Sequence, residues 1–184
     1  MEPSDWVTRW AHLIAPDASV LDVASGRGRH ARFFADRGNT VLAVDRDEEA
    51  LASMPSGIET LKADLENGSP WPIPADRTFG AVIVTNYLHR PLFGHLLDSL
   101  APGGVLIYET FAIGNESVGK PSNPAFLLAP GELLDAVRGR LRVIAFEDGF
   151  LETPRPAYIQ RICAVSDLTF GNTASGMPRY ALTG

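Results

Sequence analysis

Three aspartates recur at or near the ends of apolar runs: Asp22 in "SVLDVA", Asp45 in "TVLAVD" and Asp64 in "IETLKADL". Between the first two lies "GRGRHA", in which Gly26 and Gly28 are followed by Ala31. Glycines at that spacing let a backbone approach a ligand closely. A helix beginning there offers free N–H groups to an anion. The pattern fits G-x-G-x-x-G/A, and Asp45 stands where that fingerprint expects an acid for ribose hydroxyls. A nicotinamide-nucleotide oxidoreductase is therefore one reading. Asp22 argues against it, because a carboxylate just before Gly26 disfavours a pyrophosphate and favours an ammonium or sulfonium. A chain of 184 residues also leaves little room for a separate substrate-binding segment. A further polar cluster, "TNYLH", closes the apolar run at residues 79–85 and brings Asn86, Tyr87 and His89 to the same rim. Tyr87 or His89 is the candidate general base for acceptors that need one.

Each of these residues also has a structural role open to it. Asp22 could cap the glycine turn, and Asp64 could be a loop acid. Asp45 or Asp47 could N-cap the segment "EEALASM". His89 could be a partly exposed histidine, and His30 is expected to pack at a helix start. The four histidines show no metal-ligand spacing, so no metal is expected. Cys163, the only cysteine, lies in the apolar run "IQRICAV" and reads as a buried, inert thiol. A single cysteine rules out a disulfide framework within the chain and fits a reducing compartment. The formal charge of −6 weighs against a nucleic-acid partner. "MEPSDWVTRW" has neither a basic start nor an apolar h-region, and no run approaches membrane-spanning length. A cytoplasmic protein with no membrane partner is expected, its oligomeric state open.

These side chains need a scaffold, and the order of elements supplies one. Apolar runs at 19–24, 40–45, 58–65, 79–88 and 105–112 read as strands. Helical patterns at 4–14, 29–38, 48–54, 91–101 and 129–139 fall between or around them. Two final strands, 141–150 and 157–165, have only "LETPRP" between them and can pair antiparallel. Alternating strands and helices predict an α/β, doubly wound, Rossmann-like sheet of seven strands. It should be mostly parallel with an antiparallel last strand and have helices on both faces. Ligands of such sheets bind beyond the carboxyl ends of the strands. That places Asp22 to Gly28, Asp45, Asp64 and residues 85–88 on one rim. The polar segment "IGNESVGKPSNPAF", residues 113–126, is expected to cover an acceptor site there.

"VLDVASGRG", Asp45 ending the second strand, "ADL" after the third and "LAPGGVLIYET" entering the fifth together resemble the class I S-adenosylmethionine-dependent methyltransferases. The segment "ETFAIGNESVGKPSNPAFLLAPGELL" is similar to small bacterial members related to the tellurite-resistance type. The resemblance implies a methyltransferase domain over residues 1–165 with a C-terminal tail at 166–184. It implies S-adenosylmethionine as cofactor and in-line methyl transfer to a small-molecule acceptor. Asp22, Ala24, Gly26 and Gly28 would then meet the methionine part, Asp45 with Arg46 the ribose, and Asp64 with Leu65 the adenine. Asn86 would lie near the methyl group. Ala24 departs from the family pattern, which usually has glycine there. A catalytically silent S-adenosylmethionine-binding domain remains the other reading.

Overall fold

The computed structural model describes residues 2–167 and 178–182. Seven strands form one sheet: β1 (Ser19–Val23), β2 (Thr40–Asp45), β3 (Glu59–Lys62), β4 (Phe79–Thr85), β5 (Leu100–Phe111), β6 (Arg142–Leu151) and β7 (Ala157–Val165). Their order is β3-β2-β1-β4-β5-β7-β6. Strands β3 to β5 pair in parallel, and β7 runs antiparallel to both β5 and β6. The chain winds outward from β1 to β3, then returns to β4 on the other side of β1. The loops leaving β1 and β4 therefore part, which opens a crevice at that rim. The helices are α1 (Asp5–Trp10), α2 (Arg29–Asp36), α3 (Glu48–Ala52), α4 (Phe93–Asp98) and α5 (Glu132–Val137). Among the described residues no helix is long and apolar enough to cross a membrane.

Alternation along each strand divides the core into two layers. Leu21, Val23, Val82, Val84, Leu106 and Tyr108 face α4 and α5. Val20, Ala81, Ile83, Val105 and Ile107 face α1, α2 and α3. Asp22 shares the parity of Val20, so it is carried under α2 and is 1% exposed. Gly28, the residue before α2, has no side chain to cap the helix. The Asp22 carboxylate does so from below, accepting the Ala31 N–H at 3.0 Å. Burial pushes its pKa up to about 7, against the pull of that N–H and of the Arg29 charge. His30, beside it, is buried too, and its pKa is lowered to about 3 by burial and then by Arg29.

Two boundaries differ from the sequence reading. β4 stops at Thr85, because Asn86 turns out of the sheet with φ +55°. The "PGG" stretch, residues 102–104, lies outside the strand expected at 105–112 but belongs to β5, where a register shift opposite Gly80 absorbs the extra residues. Its amides are satisfied from the end of β7: Gly103 N–H donates to the Ser166 carbonyl, and Ser166 N–H to that of Gly104. Of the expected tail, residues 168–177 and 183–184 lie outside the described residues. Cys163 is fully buried, and burial pushes its thiol up to about 12.

Helix α1 docks through Trp6, whose indole N–H donates to the Ile162 carbonyl at 3.2 Å. Its ring meets Trp10 edge-on at 5.6 Å and carries the Arg161 guanidinium at 4.6 Å. Trp6→Ala is expected to cost about 3–5 kcal/mol in urea unfolding, the range for emptying a buried aromatic site.

The two buried titratable groups pull stability in opposite directions. Asp22 keeps its proton in the folded state, so its favourable contribution is complete below about pH 4 and is lost as pH rises through 7. His30 stays neutral when folded, so its contribution is lost as pH falls from 6.5 toward 3. Asp22→Asn removes only the first dependence. Its stability relative to wild type is expected to rise between pH 4 and pH 7, by about 1.4 kcal/mol per unit of pKa difference. Chemical denaturation at the two pH values measures this. A constant difference would mean that the carboxylate is ionised in the folded protein throughout.

Candidate functional site

The turn from β1 into α2 is built from left-handed backbone. Ala24 has φ +52°, Gly26 +53° and Gly28 +74°. Glycine takes such angles without a Cβ penalty, whereas alanine at +52° is strained by about 1–2 kcal/mol. The glycines serve different ends. A Cβ on Gly26 would project into open space, although neither Gly26 nor Gly28 lines either cleft described below. A Cβ on Gly28 would come within 2.8 Å of the Met54 side chain, so that glycine allows α2 to pack on the residue that follows α3.

Asp45 pins this turn. One carboxylate oxygen accepts the Gly26 N–H at 2.7 Å and the other accepts the Asp47 N–H at 2.8 Å. Asp47, not Asp45, caps α3 by accepting the Ala50 N–H. The Asp45 carboxylate therefore keeps a lone pair on each oxygen for a ligand. It faces a cleft of about 140 Å³ lined by Ala24, Arg46, Asp64, Leu65, Glu66 and Tyr87 among others. The ends of β1, β2, β3 and β4 all contribute, as the sheet order requires. Asp64 is exposed and also closes its own turn by accepting the Glu66 N–H at 3.0 Å.

A second cleft, of about 600 Å³, opens beyond Asn86. One wall is the N-terminal arm, residues 2–5. Others are the ends of β5 and β7 and the loop at 151–155. The arm is held by Ser4. Its N–H donates to His30 Nε2 at 3.1 Å, and its hydroxyl donates to Glu109 at 2.7 Å. Because His30 Nε2 accepts, the ring proton lies on Nδ1, which faces the Thr85 hydroxyl at 3.4 Å. Arg29 reaches the same hydroxyl at 3.4 Å. Glu109 is engaged on its other oxygen by Arg161 at 3.2 Å.

The expected site residues are thus distributed unevenly. Ala24, Asp45, Arg46, Asp64 and Leu65 meet in the first cleft, and Asn86 lines the second. Asp22 lines neither. It lies behind the turn, because strand alternation sends it beneath α2, and so cannot repel or attract a ligand by direct contact. Tyr87 lies in the first cleft with Asp64 and Glu66, and burial and those carboxylates push its phenol well above the ordinary range. That is the wrong direction for a general base. His89 is half-buried before a 3-10 turn and lines neither cleft.

The segment 113–126 does not cover a site either. It folds back on the β6–β7 hairpin, with Gly114 against the Tyr158 ring and the Asn115 side chain accepting the Tyr158 N–H. Arg90 ties its far end by donating to the Ala125 and Leu127 carbonyls. The residues that sequence reasoning missed are Ser4, Arg29, Glu109, Phe111 and Arg155. Only Arg29, next to the glycine turn, carried a sequence signal of its own.

Residues 20–104 match a methyltransferase-domain family. No curated protein matches the chain in sequence. Among solved structures, TehB from Haemophilus influenzae superposes with a TM-score of 0.70 at 18% identity, over 89% of this chain and 62% of that one. The chain thus spans less than two thirds of the TehB length. An S-adenosylmethionine-dependent methyltransferase from Methanosarcina mazei gives 0.68 at 16% identity, over 91% of this chain and all of that one. The glycopeptide N-methyltransferase MtfA, solved with S-adenosylhomocysteine, gives 0.58 at 18% identity, over 85% and 86% of the two chains. At these identities the structural likeness is one of fold. Over residues 20–104 the chain is similar to a methyltransferase domain, and the described chain takes the fold of the S-adenosylmethionine-dependent methyltransferases.

Proposed function

We propose that this protein transfers a methyl group from S-adenosylmethionine to a small-molecule acceptor held in the cleft beyond Asn86. The reading rests above all on Asp45, a carboxylate with a spare lone pair on each oxygen, facing a cleft beside an open glycine edge. Those lone pairs suit two vicinal ribose hydroxyls. Leu65 and Ala63 offer an apolar surface for a purine, with Asp64 at its edge to accept from an amine. The free N–H groups at the start of α2 suit an amino-acid carboxylate.

Bound there, S-adenosylmethionine would supply a methyl group on a positively charged sulfur. The chain's own residues position and shield. Asp45 holds the ribose and the Gly26 loop together, so cofactor binding and loop order are linked. Asn86, fixed in its left-handed conformation by its N–H bond to the Glu109 carbonyl, stands at the junction of the two clefts. The N-terminal arm, latched through Ser4, forms one wall of the second cleft.

Calorimetric titration with S-adenosylhomocysteine tests the reading. Asp45→Ala is expected to weaken binding about 10- to 100-fold, because a site built to pair hydroxyls loses that much when its acceptor goes. Undiminished affinity would remove Asp45 from the ribose site, and preferential binding of NADH would favour a nicotinamide enzyme.

Ala24 gives an independent check. Ala24→Val puts a β-branched side chain at φ +52° on the cleft wall. It is expected to lower both the melting temperature and cofactor affinity. Ala24→Gly relieves the strain and is expected to leave affinity intact.

A further inference from the structure

The second cleft contains two arginines with no carboxylate partner among the described residues, and no histidine or tyrosine in it is placed to act as a base. Arg29 is the first residue of α2, where the helix dipole disfavours a positive charge. Arg155 lies exposed on the 151–155 loop, its guanidinium 5.7 Å from the Phe111 ring centre. Among the described residues neither forms a salt bridge, although both line this cleft.

The acids of the cleft are accounted for differently. Glu109 is held by Ser4 and Arg161. Asp5 sits in the first turn of α1, where the dipole welcomes it. Glu2 lies at the exposed outer rim. Three arginines and three acids thus line the cleft, and two of the arginines, Arg29 and Arg155, have no carboxylate partner there and lie beside an apolar wall of Phe111, Leu151 and Ile159.

The candidate bases fail one by one. His30 already accepts the Ser4 N–H and is held neutral by burial. Glu109 is neutralised by Arg161. Tyr87 lies in the other cleft, and His89 in neither. That leaves only Glu2 and Asp5, on the exposed N-terminal arm, to take a proton from an acceptor in this cleft.

Building on the proposed methyl transfer, we infer that the acceptor is an organic carboxylate with an apolar body. Its charge is met by Arg29 and Arg155, and its body rests on Phe111, Leu151 and Ile159. Such a nucleophile is already ionised at neutral pH and needs no base. A carboxylate oxygen lone pair forms the bond to the methyl carbon as the carbon–sulfur bond breaks, and that bond's electron pair leaves with sulfur. Anion and sulfonium become neutral ester and thioether, and no proton moves. Loss of both charges is favoured where water is excluded.

The test uses the full chain with S-adenosylhomocysteine binding measured first, since failure there overturns the methyltransferase reading itself. On the loaded protein, 3-phenylpropanoate and related six- to ten-carbon carboxylates are titrated by calorimetry, then supplied with S-adenosylmethionine to measure methyl ester. The carboxylates are expected to bind at least 10-fold more tightly than 3-phenylpropanamide or 3-phenylpropylamine and to be esterified. Arg155→Gln, an exposed loop change, is expected to weaken carboxylate binding at least 10-fold while leaving S-adenosylhomocysteine affinity unchanged. The inference is overturned if cofactor product binds but the amine is preferred, the amide binds equally, Arg155→Gln has no effect, or no carboxylate in the panel is esterified. Methylation of selenite in place of every carboxylate would likewise overturn it, as an inorganic oxyanion has no use for the apolar wall.

Discussion

The turn from β1 into α2 is the constraint on which the ligand rim depends. Three of its residues are left-handed, and one of them is an alanine. A turn of that kind is not stable alone. It is held at two points by carboxylates from different strands, Asp45 on the Gly26 N–H from the side and Asp22 on the Ala31 N–H from below. The first contact leaves a lone pair on each oxygen facing solvent, and the second leaves none exposed. A difference of position thus leaves one of two similar residues facing a cleft and makes the other a buried cap.

The same turn aligns the second cleft. By starting α2 where it does, it brings Arg29 and His30 against Thr85 at the end of β4. His30, kept neutral by burial, then provides the acceptor that fastens Ser4 and the N-terminal arm. The arm reaches Glu109, which Arg161 ties to β7, and Arg161 in turn lies over Trp6. One hydrogen-bonded chain therefore runs from the glycine turn to the far half of the sheet.

Much of this was legible in the chain. Solid apolar runs marked β1, β2, β4 and β5, since strands covered on both faces need no polar side. The short link before β7 foretold its antiparallel pairing. Asp45 was identifiable because the glycine spacing places an acid there for a stated reason. Tyr87 and His89 were expected together on one rim, but a residue just past a strand end can turn either way. Asn86, at φ +55°, directs Tyr87 into the first cleft and leaves His89 outside both. The 113–126 segment was misread because polarity and position on the rim do not tell which neighbour it packs against. Gly114, fitted beneath the Tyr158 ring, turns it toward the hairpin.

The sequence by itself determined the order of strands and helices, the glycine turn and the carboxylates at successive strand ends. These follow from local periodicity and spacing, which a single chain displays. Only the tertiary structure decided that Asp22 faces inward and that the second cleft is walled by residues as distant in the chain as Ser4, Arg29, Glu109 and Arg155. Side-chain direction at a strand's end depends on packing from other elements, and a cleft assembled across so many residues exists only once the sheet has brought its edges together.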